Sequence, residues 1–260
     1  MKLIDAMGVE HRRLAADEQP RIVSLVPSVT ELLCDLGLAE RLVGRTGFCI
    51  HPAKTVRAIA KVGGTKDVNI DKIRKLAPTH LVVNIDENEK PTVELLAAFV
   101  PNVIVTHPLA PRDNLDLYRL LGGVFGAEAA AERLCAAFER EYAALAAPAP
   151  QRRVLYCIWQ DPWMTVSRDT YIARMLALAG MAQWQAPGDV RRYPVFTWSD
   201  ALVEEIDEVL LSSEPYRFTE AHVDAIERQT GKPARLVDGE MMSWYGSRAI
   251  AGLRYLRELR

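Results

Sequence analysis

Residues 126–146 read GAEAAAERLCAAFEREYAALA. Alanine, glutamate, arginine and leucine dominate, and these residues lose least on entering a helix. Leu134, Phe138, Tyr142 and Leu145 recur at three- and four-residue spacing, which predicts one apolar stripe. Ala147-Pro148-Ala149-Pro150 then breaks the helix. Twenty helical residues reach about 30 Å, the diameter of a small lobe, so the stretch is suited to joining two lobes. It divides the chain into an N-terminal α/β lobe (residues 1–122), a bridging helix (123–150) and a C-terminal α/β lobe (151–260).

The flanking segments repeat one pattern. Arg21–Val26 (RIVSLV) is a strand that Pro27 stops, and Ser28, with Glu31 three residues on, is expected to cap a helix ending at Gly37. Arg153–Trp159 (RVLYCIW) is the matching strand, broken by Gln160-Asp161-Pro162. Asp169 or Thr170 then caps a helix that Gly180 ends. Val68–Val83 (VNIDKIRKLAPTHLVV) reads as capped helix, turn and strand, and Phe196–Leu211 (FTWSDALVEEIDEVLL) reads the same, 128 residues later. Helix and strand alternating in this way predict parallel sheets faced by helices.

Charge and composition remove several functions. Charged residues make up 25% of the chain, the net charge is -2, and the arginine doublets are isolated, so no basic field for nucleic acid is built. Asp5, Glu10 and His11 interrupt any leader-like apolar run near Met1, and no window approaches a membrane span. The sequence as written predicts a cytoplasmic, monomeric protein without membrane insertion; periplasmic is the alternative if a leader precedes it. Cys34, Cys49, Cys135 and Cys157 form no C-x-x-C pair and read as reduced core residues.

Ligands of open parallel sheets bind beyond the carboxyl ends of the strands. The segments expected there carry Pro27, Ser28, Phe48, His51, Glu87, Trp159, Trp163, Tyr193, Tyr216, Trp244 and Tyr245. Aromatics are only 7% of the chain, so their gathering in these loops points to walls for a flat or bulky small molecule. Each ring alone reads first as filler beneath its own loop; it is the group at the strand ends of both halves that points to a ligand. Backbone N–H groups at the helix start after Pro27-Ser28 would supply polar contacts.

Taken in order, Arg21–Glu31 (RIVSLVPSVTE), Val62–Asp71 (VGGTKDVNID), Leu76–Val83 (LAPTHLVV) and the bridging helix resemble the helical-backbone (class III) ABC-transporter substrate-binding proteins, nearest the vitamin-B12-binding branch. The resemblance implies two Rossmann-like lobes with parallel sheets joined by one long helix. It implies a corrinoid ligand in the cleft between them and no intrinsic cofactor. It also implies an ABC permease partner met by Asp71 and Asp200, with Glu204 behind the latter. Phe48, His51 and Tyr193 match ligand-contacting positions, and His51 is the expected axial ligand of a corrinoid or haem metal. Thr65 and Ile85 stand where B12 binders carry other residues, which opens the pocket to haem or a siderophore.

Two rival chemistries follow from the residues. His51 and His107, with Asp86, Glu87 and Glu240, offer ligands to bare Zn or Mn, but two histidines 56 residues apart lack the spacing of a metal motif. A hydrolase acting in the cleft would need a nucleophile elbow, and the chain has no G-x-S-x-G, P-loop or G-x-G-x-x-G. His11, His80 and His222 read as structural or exposed.

Overall fold

The computed structural model describes residues 2–145 and 152–259, so the break at Ala147–Pro150 lies outside the described residues. The chain forms two units. One holds Met1–Pro108, Arg112–Ala137 and Tyr245–Arg248; the other holds Leu109–Pro111, Phe138–Trp244 and Ala249–Arg260.

In the N-terminal unit the elements are β1 (Ile22–Ser24), α1 (Pro27–Asp35), β2 (Leu42–Arg45), α2 (Ala53–Val56), β3 (Ala60–Lys61), α3 (Ile70–Lys75), β4 (His80–Asn84), α4 (Lys90–Ala97), β5 (Asn102–Thr106) and α5 (Asp113–Val124). The strands are all parallel, in the order β3-β2-β1-β4-β5. Every residue of β4 is buried, as an inner parallel strand covered on both faces requires. Leu81 and Val82 are fully buried and each stabilises the fold by about 1.5–3 kcal/mol. Asn69 caps α3 by accepting from Lys72 N. Ser28 does not cap α1. The cap position is Val26, Pro27 fills the first helical position with its fixed φ, and Ser28 is buried inside the first turn.

The edge strand β5 is covered by the start of the chain. Ala6 N donates to Val105 O, Val105 N donates to Asp5 Oδ2, and Leu3 lies where a Cβ on Gly123 would stand.

The long helix α6 runs Glu128–Ala144, and the boundary between units falls inside it, after Ala137. It is shorter than the expected 126–146, with Gly126 at φ 69 before it. Its buried line is Ala131, Cys135 and Phe138; Leu134 and Tyr142, expected in the stripe, are half-buried.

The C-terminal unit contains β6 (Arg152–Trp159), β7 (Met164–Thr165), α7 (Tyr171–Leu178), β8 (Met181–Gln183), α8 (Asp200–Glu205), β9 (Glu208–Ser212), α9 (Glu220–Thr230), β10 (Ala234–Val237), α10 (Gly239–Ser243) and α11 (Arg248–Leu259). α11 starts in the residues that count with the other unit. The parallel run β8-β6-β9-β10 repeats β2-β1-β4-β5 of the first sheet. Leu81–Val83 and Val209–Leu211, matched by sequence, occupy equivalent buried inner strands. One departure is β7, which turns back antiparallel on β6 through Asp161-Pro162, so this sheet is mixed. Thr170 caps α7 and Ser199 caps α8, each through its side chain.

Candidate functional site

At the carboxyl edge of the first sheet, the loop after β2 carries Phe48, Ile50 and His51. Phe48 is 63% exposed and Ile50 49% exposed. The Phe48 ring lies against Gly64, where an added Cβ would come within 3.4 Å of it. His51 is half-buried. The turn after β4 carries Ile85, 44% exposed, then Asp86 and Glu87. Its backbone is fixed by Asn84 and Asn88: Asp86 N donates to Asn84 Oδ1, Asn84 N to Asn88 Oδ1, and Asn88 Nδ2 to Leu25 O and Thr65 O. After β5, His107 Nε2 lies 3.3 Å from Asp86 Oδ2.

Tyr245 does not stand open as a ligand wall. It is buried in this unit, and its hydroxyl donates to Glu87 Oε1. Burial, then the Glu87 charge, raise its pKa well above the tyrosine norm, so it stays a neutral donor. The segment behind it is held firmly. Gly246 N donates to Asn114 Oδ1 at 2.6 Å and Tyr118 Oη donates to Gly246 O at 2.8 Å. Arg248 makes a two-pronged pair with Glu31.

At the carboxyl edge of the second sheet, Trp159 and Tyr193 are each 39% exposed, Val195 42% and Val190 93%. Trp159 meets Tyr216 edge-on at 5.5 Å. Trp163 has a packing role: it stacks on Phe218 and meets Trp198 edge-on within a cluster that includes Phe196. The filler reading therefore applies to this ring. Tyr216 is half-buried between Phe218, His222 and Trp159.

Trp244 is buried as well, at 8% exposure. Its Nε1 donates to Glu214 Oε1 at 2.9 Å, and Ser243 Oγ donates to the same oxygen at 2.7 Å. Burial pushes the Glu214 pKa up; the Ser243 hydrogen bond pulls it partly back, and the Glu240 charge adds to the rise. Gly239 makes room for this carboxylate, since a Cβ there would fall 2.5 Å from Glu214 Cγ.

The remaining expected residues are placed as follows. Asp71 and Asp200 are both exposed, in the first turns of the equivalent short helices α3 and α8. His11 pairs with the buried Asp5, His80 bonds Thr79 and packs on Phe125, and His222 closes a capping box with Thr219 on α9. Glu240 lies on α10, half-buried. Among the described residues, no group of three or more His, Cys, Asp or Glu is gathered to hold a metal ion. The sequence reading missed the roles of Asn84, Asn88, Asn114 and Glu214 as anchors. Their partners are mostly distant in the chain, 132 residues away for Asn114, so no local spacing announces them.

Two units built on runs of parallel strands, the second with one antiparallel addition, that display apolar side chains at their strand ends have the architecture of solute-binding proteins. Residues 22–214 match the family described as periplasmic binding protein, and the chain belongs to that family. It is 24% identical over 260 residues to the uncharacterized ABC transporter substrate-binding lipoprotein YvrC of Bacillus subtilis (strain 168), covering 93% of this chain and 80% of that one. The fold is shared with the periplasmic vitamin B12 binding protein BtuF of Vibrio cholerae, with a TM-score of 0.76 at 17% identity over 92% of this chain and 97% of that one. It is also shared with the periplasmic heme-binding protein RhuT from Roseiflexus sp. RS-1 in apo form, with a TM-score of 0.76 at 22% identity over 93% and 97%. The chain is a solute-binding protein of the ABC type, in a family of transport receptors rather than enzymes. Among the described residues no helix is long and apolar enough to cross a membrane.

Proposed function

We propose that this chain captures a tetrapyrrole macrocycle, the ligand class that corrinoids and haem share, at its strand-end loops and delivers it unchanged to an ABC permease. One observation carries the reading. Seven of the eleven large apolar side chains left exposed among the described residues, Phe48, Ile50, Ile85, Trp159, Val190, Tyr193 and Val195, lie at the carboxyl end of a strand or in the segment that follows one; Ile4, Met7, Val9 and Leu95 lie elsewhere. Exposed apolar surface at the strand ends of each unit is costly in water and fits a flat, mostly apolar partner. A bare ion would need converging donors instead.

The binding of vitamin B12 by one structural relative and of heme by another supports the macrocycle class. Asp71 and Asp200, exposed on equivalent helices, are the residues we assign to the permease. Loading then takes place outside the cytoplasm, as the lipoprotein relative suggests. Trp163 is left to the core, and Trp244 and Tyr245 brace the loops rather than stack on the ligand.

Calorimetric titration with cyanocobalamin, haemin and Zn(II) tests the proposal. It expects one macrocycle to bind with Kd below about 10 μM, that is, about −7 kcal/mol or better. Phe48→Ala and Trp159→Ala should each weaken it by about 1–2 kcal/mol, as truncation of an aromatic anchor does. Binding of Zn(II) with neither macrocycle bound would overturn it.

A further inference from the structure

The N-terminal unit holds a hollow of about 280 Å³ where the start of the chain crosses α5 and the first turns of α6. Phe125, just past the end of α5, packs on His80, the first residue of β4. This end of α5 therefore stands at the amino ends of the strands, on the opposite edge of the sheet from Phe48 and Ile85. Leu3, Gly123 and Ala131 give the hollow an apolar floor. Gly123 lets Leu3 lie directly on α5, since a Cβ there would fall 2.4 Å from Leu3 Cδ2. The rim carries two ion pairs: Arg13 Nη2 lies 3.0 Å from Glu128 Oε1, and Arg119 Nε donates to Glu132 Oε1 at 2.8 Å. Glu128 and Glu132 are one turn apart on α6, so their carboxylates share one face. A guanidinium has five N–H donors. Arg119 spends Nε and Nη2 on Glu132, and Arg13 spends Nη2 on Glu128, so Nη1 of each has no partner among the described residues. All four side chains are partly exposed, and ion pairs of that kind contribute little and open readily.

We propose that this hollow is a second binding site, for a small zwitterion with an apolar side chain, the chemistry of a free aliphatic α-amino acid. The rim's two guanidiniums and two carboxylates cancel, so neither a lone anion nor a lone cation is favoured. A molecule carrying both charges finds a partner for each. Its carboxylate takes the spare N–H groups of Arg13 and Arg119. Its ammonium takes the remaining lone pairs of Glu128 and Glu132. Its side chain covers Leu3, Gly123 and Ala131, removing apolar surface from water. The volume sets the size, because it falls just below the ~300–1,000 Å³ of sites for drug-sized ligands and suits a molecule of amino-acid size rather than a macrocycle. The site stands apart from the tetrapyrrole reading and holds whether or not that reading does.

Saturation-transfer NMR titrations of the whole protein with L-leucine, isocaproate, isoamylamine and glycine test the proposal on wild type, Arg119→Gln and Glu132→Gln, each checked for folding by circular dichroism. Wild type should bind leucine with a Kd of about 1 mM or below. Isocaproate lacks the ammonium, isoamylamine lacks the carboxylate and glycine lacks the side chain, so each should bind at least about tenfold more weakly. Arg119→Gln should weaken leucine about tenfold and leave isoamylamine no weaker, because the carboxylates remain. Glu132→Gln should weaken leucine by about as much and leave isocaproate no weaker, because the guanidiniums remain. The proposal is overturned if folded wild type binds no leucine at about 10 mM, if any of the three analogues binds as tightly as leucine, or if the folded variants bind leucine like wild type.

Discussion

Replacing Glu214 by alanine should loosen the C-terminal unit by a calculable amount. The Glu214 Oε1 atom is the acceptor for both Ser243 Oγ and Trp244 Nε1. Trp244 is buried, so its N–H loses an acceptor that water cannot readily replace. Each stranded buried donor costs about 1–3 kcal/mol. Removing the carboxylate also relieves the cost of burying it, which its raised pKa reports. The balance is a loss of about 2–3 kcal/mol. With a urea slope of about 1–2 kcal/mol per M for a unit of this size, the midpoint falls by roughly 1–3 M.

All five tryptophans lie in the C-terminal unit, so tryptophan fluorescence follows that unit specifically. Glu214→Gln keeps an acceptor oxygen and should lose less than about 1 kcal/mol. The pH dependence has a definite sign. The folded pKa lies above the unfolded value of 4.5, so the stability from this group is fully present below that pH and is lost as pH rises through the folded value. Wild type should therefore gain on Glu214→Gln as pH is lowered from 7 toward 4.5. A Glu214→Ala midpoint within about 0.3 M of wild type, or a pH trend of opposite sign, would refute the reasoning.

Four further outcomes are expected. Gly239→Ala, whose Cβ would collide with Glu214 and Ser212, should cost the same unit about 1–3 kcal/mol in the same urea assay. Asn114→Ala strands the buried Gly246 N–H and should cost about 1–3 kcal/mol, read by far-UV circular dichroism. Burial, with Arg12 and His11 nearby, holds the His80 pKa down to about 4, below its unfolded 6.5, so wild type should lose on the order of 1–2 kcal/mol between pH 6.5 and 4. His80→Gln should flatten that slope in acid titrations of the unfolding midpoint. Asp5→Ala removes the acceptor of the Met7, Val9 and Val105 amides and should raise hydrogen exchange along β5 and residues 2–11.

Where the deciding physics is local, the sequence carried it. The caps at Asn69, Thr170 and Ser199 sit where side-chain acceptors precede apolar runs. The matched runs Leu81–Val83 and Val209–Leu211 are inner strands because their apolar residues are uninterrupted. Ser28 misled because Pro27 outcompetes a capping serine at a helix start. Aromatic type and loop position singled out Phe48, Trp159 and Tyr193, which are exposed, but equally Trp163, Trp244 and Tyr245, which are not. The difference lies in partners supplied from afar: Phe218 for Trp163, Glu214 for Trp244, and Glu87, 158 residues away, for Tyr245. The pairing of Asp86 with His107 likewise depends on the register of two strands, which no spacing within either segment encodes.

Hydrogen–deuterium exchange of the whole protein, with and without saturating haemin or cyanocobalamin, tests the central claim most directly. Slowed exchange should appear in residues 46–52, 84–88, 158–163 and 184–195, the loops that carry the exposed apolar side chains of both units. Slowing confined to the amino ends of the strands, or absent from all of these loops, would contradict the account.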